Sequence, residues 1–294
     1  MFVRADRLLA SDFMTWFSKH AVAYYWSDFE PHLLAYDLNE RRLVDVDLEN
    51  VELVVSEQRR CVGRFDETYQ PCPNRVSVKD AFDQCPTCAE IWIPHQECIF
   101  EPQCEGERCE VAFCRKSHLI YAAFFGEVIK IGMTGGTRVR ERAIEQGADA
   151  IAPLVLCSNR MKARELEKFA SRRLGMTQRM KRSEVLEQLT KTVSKGIIKE
   201  RYERLLSELK HIMTESRIEG QILTDALQML NDYPLRRRID APPEIVDTVG
   251  VHRGKMLMIK GKFVVFEDEI DSRIRMLELS DIVSRFIEDR GRKP

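Results

Sequence analysis

Residues 118–148, HLIYAAFFGEVIKIGMTGGTRVRERAIEQGA, set the architecture at the centre of this 294-residue chain. Two short runs rich in β-branched and aromatic residues, LIYAAFF and EVIKIGM, meet at Gly126, and the pair reads as a β-hairpin. The pattern then turns helical at RVRERAIEQGA, where Gly147 follows the last periodic residue and predicts the helix stop. Downstream, APLVLC (152–157) predicts another strand, and RMKARELEKFASRRL (160–174) predicts a second basic helix ended by Gly175.

On the N-terminal side, HLLAYDL, RLVDVDL and VELVVSE are strand-like pieces separated by Asn, Asp and Glu, and they predict a small antiparallel sheet over residues 1–60. From Cys61 to Cys114 the composition shifts to Cys, Pro and Glu with little periodicity, as where a metal replaces a packed core. Residues 115–182 form the unit read above. Between 183 and 240, three helical stripes are expected: Leu186, Leu189 and Val193; Tyr202, Leu205, Leu206 and Leu209; and Ile222, Leu223, Leu227 and Leu230. After the breaker APPE, KMLMIKGKFVVFED reads as a hairpin turning at Gly261, and RMLELSDIVSRFIED as a strand followed by a helix, so 241–294 is a small β-rich module. The expected fold class is therefore α+β, in several domains.

Hydrophobic content of 44% with 32% charged residues is that of a folded, soluble chain. No stretch approaches the roughly 18 uncharged apolar residues of a membrane span, and Arg4, Asp6 and Arg7 stand where a signal peptide would be apolar. A cytoplasmic location and no membrane partner are expected. Net charge is −1, yet residues 115–182 hold 15 Lys/Arg against 6 Asp/Glu, a local +9 that leaves −10 for the rest. So basic a stretch in an acidic protein points to a phosphate-rich partner. Arg138, Arg142, Arg160, Lys162, Arg164, Arg172 and Arg173 are the residues expected to meet it.

Nine cysteines in a reducing compartment point to metal ligation rather than a disulfide framework, and an odd number cannot pair completely. Eight of them form a ladder: Cys61, Cys72, Cys85 and Cys88, then Cys98, Cys104, Cys109 and Cys114, with His118 after the last. In CPTC (85–88) two intervening residues let one tight turn aim both sulfurs at one ion. The ten residues between Cys61 and Cys72 are enough to fold back as a hairpin and bring the other two sulfurs to it. The first set predicts a structural zinc held by four thiolates. For a second zinc the four later cysteines are favoured, with His118, and then His95, able to replace one of them; an iron–sulfur cluster is the alternative.

The stretch 118–182 resembles the GIY-YIG nuclease superfamily, and the whole chain resembles an uncharacterised, mostly prokaryotic family that joins a Cys-rich, zinc-ribbon-like region to a GIY-YIG-like core. In that pattern LIY supplies Tyr121 and KIG supplies Ile131 and Gly132. Arg140 lies eight residues beyond that glycine, and Arg142 takes its place if the helix register slips. In ARELE, Glu167 has the superfamily's spacing from Ala163. The resemblance implies that Tyr121 activates water, that Arg140 stabilises the charge developing on phosphorus, and that Glu167 holds Mg²⁺ or Mn²⁺. Lys130 stands where the second tyrosine of the motif would be, Leu119 replaces its first glycine, and no closing asparagine is evident.

Two readings follow: a degenerate GIY-YIG-type endonuclease, and a non-catalytic factor docking on ribosomal or transfer RNA through a retired nuclease fold. RNA is preferred to DNA in both, by association with small zinc modules. A third, an iron–sulfur RNA-modifying enzyme, needs a cluster in the second cysteine group.

Overall fold

Strands β1 (Lys19–Ser27), β2 (Glu30–Asp37), β3 (Arg42–Asp45) and β4 (Asn50–Arg59) realise the N-terminal alternation. In β4, Val51, Leu53 and Val55 are buried while Asn50, Glu52 and Val54 face the other way, the period-two signature of a strand with one covered face. The computed structural model of the chain describes residues 17–79, 82–89, 97–108, 111–136, 138–191, 193–224 and 226–289. Two compact units emerge: residues 1–90 with 235–237 and 243–294, and residues 91–234 with 238–242.

In the first unit the N-terminal strands share one nine-stranded sheet with β12 (Glu244–Ile245), β13 (Gly250–Lys260), β14 (Phe263–Asp268), β15 (Ile274–Glu278) and β16 (Arg285–Asp289), in the order β12-β15-β14-β13-β4-β16-β1-β2-β3. The N-terminal β-rich unit and the C-terminal β-rich module, expected as separate domains, are thus one sheet. β4 has no free edge, since β13 and β16 pair with it on either side. The Tyr24 hydroxyl and the Trp26 indole N–H both donate to the Gly261 carbonyl, at 2.6 and 2.9 Å, so β1 is tied to the turn between β13 and β14 by hydrogen bonds as well. The helix expected near the C-terminus is a single 3-10 turn, Leu279–Asp281, followed by β16; its apolar Phe286 and Ile287 complete the sheet instead.

A short hairpin, β5 (Arg64–Phe65) and β6 (Tyr69–Gln70), also belongs to the first unit. The Cys-rich stretch expected as one module is therefore divided, because residues up to 90 fall in the first unit and those from 91 in the second.

The second unit begins with two single-turn helices, α1 (Glu97–Phe100) and α2 (Ala112–Arg115). Strands β7 (His118–Phe125) and β8 (Val128–Gly135), helix α3 (Val139–Gln146), strand β9 (Ala150–Cys157) and helix α4 (Arg160–Leu174) follow in the order read from the sequence, with Gly147 and Gly175 as the C-caps of the two helices. β7 is central, between β8 and β9. On α4, Ala163, Leu166, Glu167 and Ala170 make one buried stripe at helical spacing. The stripe packs on β7 and β8.

Helices α5 (Arg182–Leu189) and α6 (Lys195–Ser216) take up the first two expected stripes, except that Val193 lies beyond the end of α5, and α6 buries Tyr202, Leu205 and Leu209 in the same core. The third stripe is not a helix. It forms β10 (Gln221–Ile222) and β11 (Gln228–Met229), both paired with β9. The outer edge of β9 offers unpaired backbone groups, and satisfying them outweighs a weak helical periodicity. Among the described residues no helix is long and apolar enough to cross a membrane.

Candidate metal centre and polar cluster

Cys61 follows β4, Cys72 follows β6, and Cys85 and Cys88 lie on one tight turn whose Cys88 N–H donates to the Cys85 carbonyl at 3.0 Å. The β5–β6 hairpin folds back between Cys61 and Cys72 and brings these sulfurs to that turn, as the spacing predicts. All four sulfurs lie within 4.8 Å of one another. Each cysteine is buried, yet among the described residues only Val78 packs against them as a partly buried hydrophobic. A core of four thiols and one valine has little apolar surface to stabilise it, and a metal ion would supply what it lacks.

The backbone is shaped for thiolates. The N–H groups of Gly63 and Cys85 donate to the Cys61 sulfur at 3.4 and 3.2 Å. Gly63 has φ +86°, and a Cβ there would stand 2.2 Å from the Gln70 carbonyl oxygen, so the position requires glycine. Burial pushes the Cys61 and Cys88 thiols up. At Cys85 burial acts the same way, but the Cys88 and Thr87 backbone together with the neighbouring thiols outweigh it and bring the thiol down to about 7. Four buried thiolates in one pocket repel each other without a cation between them. The set can hold a metal ion such as zinc.

The second group is less closed. Cys98, Cys104 and Cys114 are buried in α1, in the loop after it and in α2, and His118 opens β7. Cys109 and His95 lie outside the described residues. Among the described residues, the first set is the group in which three or more ligand atoms come within 4.8 Å of one another. Cys157, assigned to no site, is buried in the core of the second unit.

Tyr121 sits in the middle of β7 opposite Gly132 of β8. A Cβ on Gly132 would stand 2.7 Å from the phenol oxygen, so the glycine of KIG makes room for the ring of LIY. The Tyr121 hydroxyl oxygen accepts a hydrogen bond from Gln146 Nε2 at 3.2 Å, and Gln146 Oε1 accepts one from Lys130 Nζ at 2.6 Å. Burial raises the Tyr121 pKa, while Gln146 and then the Arg142 charge oppose it. The Arg142 charge on α3 thus acts on Tyr121, and Arg140 lies half-buried on the same helix.

Glu167 is 6% exposed on α4, and its Oε2 accepts from Arg164 Nη1 at 2.7 Å. Burial lifts its carboxyl above the usual range, against the pull of Arg164 and Lys130. Gln146 thus joins Tyr121 and Lys130 by hydrogen bonds, the Arg142 and Glu167 charges act on Tyr121, and the Lys130 charge acts on Glu167. Gln146 carries no charge and so escaped the sequence reading, although it lies four residues after Arg142 on the same helix face.

The basic residues expected to face a partner divide into two kinds. Arg138, Arg142 and Arg173 are well exposed, the first two beside Glu145 and the third beside Glu215, and Arg172 is exposed as well. Lys162 lies 4.0 Å from Glu219. Arg164 and Lys168 both bind Glu101, and the Lys168 hydrogen bond holds that carboxyl below its ordinary range. Arg160 departs from expectation. It is 4% exposed and donates to the Cys98 and Ile99 carbonyls, so it belongs to the interior rather than to a binding face.

The model of a protein family described as a protein of unknown function, DUF2797, matches residues 49–279. No curated protein and no solved structure matches the chain.

Proposed function

From the premise that the chain belongs to the DUF2797 family, we propose that it is a zinc-stabilised nucleic-acid-binding protein, taking RNA before DNA, with a GIY-YIG-like core that contacts one backbone phosphate. The observation that carries the reading is the hydrogen-bonded grouping of Tyr121 and Lys130 on Gln146, with the Arg142 and Glu167 charges acting on Tyr121, in a unit where Arg138, Arg172 and Arg173 are exposed. Two ions belong to the proposal: zinc on Cys61, Cys72, Cys85 and Cys88, and a second zinc among the later cysteines with His118. Ribosomal or transfer RNA is the partner class and the cytoplasm the location.

Burial of Tyr121 to 2% exposure and the Arg164 bond on Glu167 favour binding over cleavage. A carboxylate already neutralised by an arginine is a poor holder of a hard divalent ion, so Glu167 as it stands does not fit Mg²⁺ or Mn²⁺. The second reading, a metal-dependent phosphodiesterase, is favoured by the hydrogen-bonded chain from Lys130 through Gln146 to the Tyr121 oxygen.

Labelled RNA and DNA panels separate these readings when incubated with Mg²⁺ or Mn²⁺ and with wild type or Glu167→Ala. The expected result is RNA binding without cleavage, with log affinity falling linearly against log salt by about 0.7 per phosphate engaged on a single strand. Cleavage lost in Glu167→Ala would establish the phosphodiesterase instead. Absence of binding to either polymer defeats both readings, and a brown protein carrying iron would replace them with the iron–sulfur enzyme.

A further inference from the structure

We infer that the second centre is built from the thiolates of Cys98, Cys104 and Cys114 together with Nε2 of His118, and that it takes a zinc-class divalent cation. The inference rests on the reading above that this group binds metal, and it names the ligands.

The first argument is a repeated local shape. Cys61-Val62-Gly63 and Cys104-Glu105-Gly106 share one backbone device: the glycine has positive φ, +86° and +106°, and its N–H donates to the sulfur two residues back at 3.4 Å in each. Cys61 belongs to the four-sulfur cluster. Cys104 is therefore held in the conformation of a ligand. Gly106 backs onto Cys114, since a Cβ on it would stand 3.2 Å from the Cys114 Cβ.

The second argument is inverted burial. Cys98, Cys104 and Cys114 are 8, 7 and 3% exposed, while Phe100, Ile99 and Phe113 beside them are 76, 38 and 37% exposed. An apolar core would place the phenylalanines inside. Here the sulfurs are inside.

The third is His118, which is 1% exposed. Its Nδ1 lies 2.9 Å from the Lys116 carbonyl and so carries the proton, leaving Nε2 as a lone pair with no partner. A buried acceptor without a partner costs about 1–3 kcal/mol, and an ion removes that cost. Fixing one imidazole nitrogen on a carbonyl while the other binds is the usual outer-shell arrangement of ligand histidines.

The fourth is charge. Arg160 is buried, and its partners among the described residues are the Cys98 and Ile99 carbonyls, the Cys114 sulfur at 3.8 Å and the Phe113 ring at 5.7 Å. No carboxylate among the described residues neutralises it. Three thiolates and one divalent ion carry a single negative charge, which Arg160 cancels; four thiolates would leave one uncompensated. The described ligand atoms are not drawn as close as in the first set, and chelation would pull the 104–106 loop and α2 inward.

Zinc content of the full chain tests the assignment, with the first centre as internal control. Wild type is expected to hold about two ions, His118→Ala about one, and Cys109→Ser and His118→Cys about two each. With cobalt in both centres, His118→Cys should show sulfur-to-metal absorption about a seventh stronger than wild type, because the second centre then has one thiolate more. Loss of an ion from Cys109→Ser overturns the ligand set, as does its retention in His118→Ala. A wild type holding a single ion removes the second centre altogether. His118→Cys guards against a fold-wide effect, because an ion lost in His118→Ala and kept in His118→Cys shows that the position needs a ligand rather than an imidazole-shaped filler.

Discussion

Serine at Cys88 is expected to strip the first centre of its ion and to unfold the segment around it, giving a chain with one fewer zinc and a greatly lowered melting temperature. Structural zinc sites in small peptides bind with roughly 10–16 kcal/mol, comparable to the 5–15 kcal/mol that stabilises a whole domain. Val78→Ala is the matched control: it removes the one partly buried hydrophobic of the cluster and is expected to cost no more than about 1 kcal/mol. Elemental analysis and thermal melts of the two variants check this. Retention of the ion by Cys88→Ser with an unchanged melt would show that the four sulfurs are only a thiol core. Acid should act in the same direction as the mutation, because protons compete with the ion for the thiolates and falling pH releases it.

Alanine at Arg164 is expected to destabilise the second unit by about 3 kcal/mol at neutral pH, the lower end of the cost of breaking a buried ion pair. The arginine side chain is 21% exposed and the Glu167 side chain 7%, so solvent screens the pair little. Removing Arg164 also releases Glu101, which it shares with Lys168. The pH dependence has a definite sign. Glu167 has a folded pKa raised above the ordinary 4.5, so the stability it contributes is full below that value and is lost as pH rises through the folded pKa. Without Arg164 the folded value rises further, so the penalty shrinks on acidification. Glu167→Gln in the Arg164→Ala background should recover most of the loss, since a neutral amide needs no counter-charge. Urea titrations of the two single variants and the double at neutral and acidic pH read all of this, and additive effects in the double would refute the coupling.

Much of this was legible from residues alone. The β7–β8 hairpin, α3, β9 and α4 follow from strong alternation and from glycines at the helix ends, signals that are local and mutually consistent. Cys61, Cys72, Cys85 and Cys88 were legible because a two-residue spacer and a foldable ten-residue one leave few other geometries. What escaped was non-local. Nothing near Val51 or Phe286 announces that their strands lie side by side, and the apolar residues of β10 and β11 fit a helix until the open edge of β9 is known. Arg160 looked like its neighbours on a basic helix, and only its position beside the Cys98 carbonyl sets it apart. Gln146 gave no signal because a neutral amide acquires its role from the groups it joins.

The central place of β4, between β13 and β16, has a consequence for how the protein is made. A ribosome delivers β4 long before its neighbours, so the sheet must wait while residues 91–234 emerge and can fold first, as an insert. During that delay β4 would offer bare edges on both sides, the situation that invites aggregation. All four ligands of the first centre have emerged by Cys88. A metal ion captured there would pin the end of β4 in place during translation, so that the nascent chain would wait for its last strands around an already folded anchor.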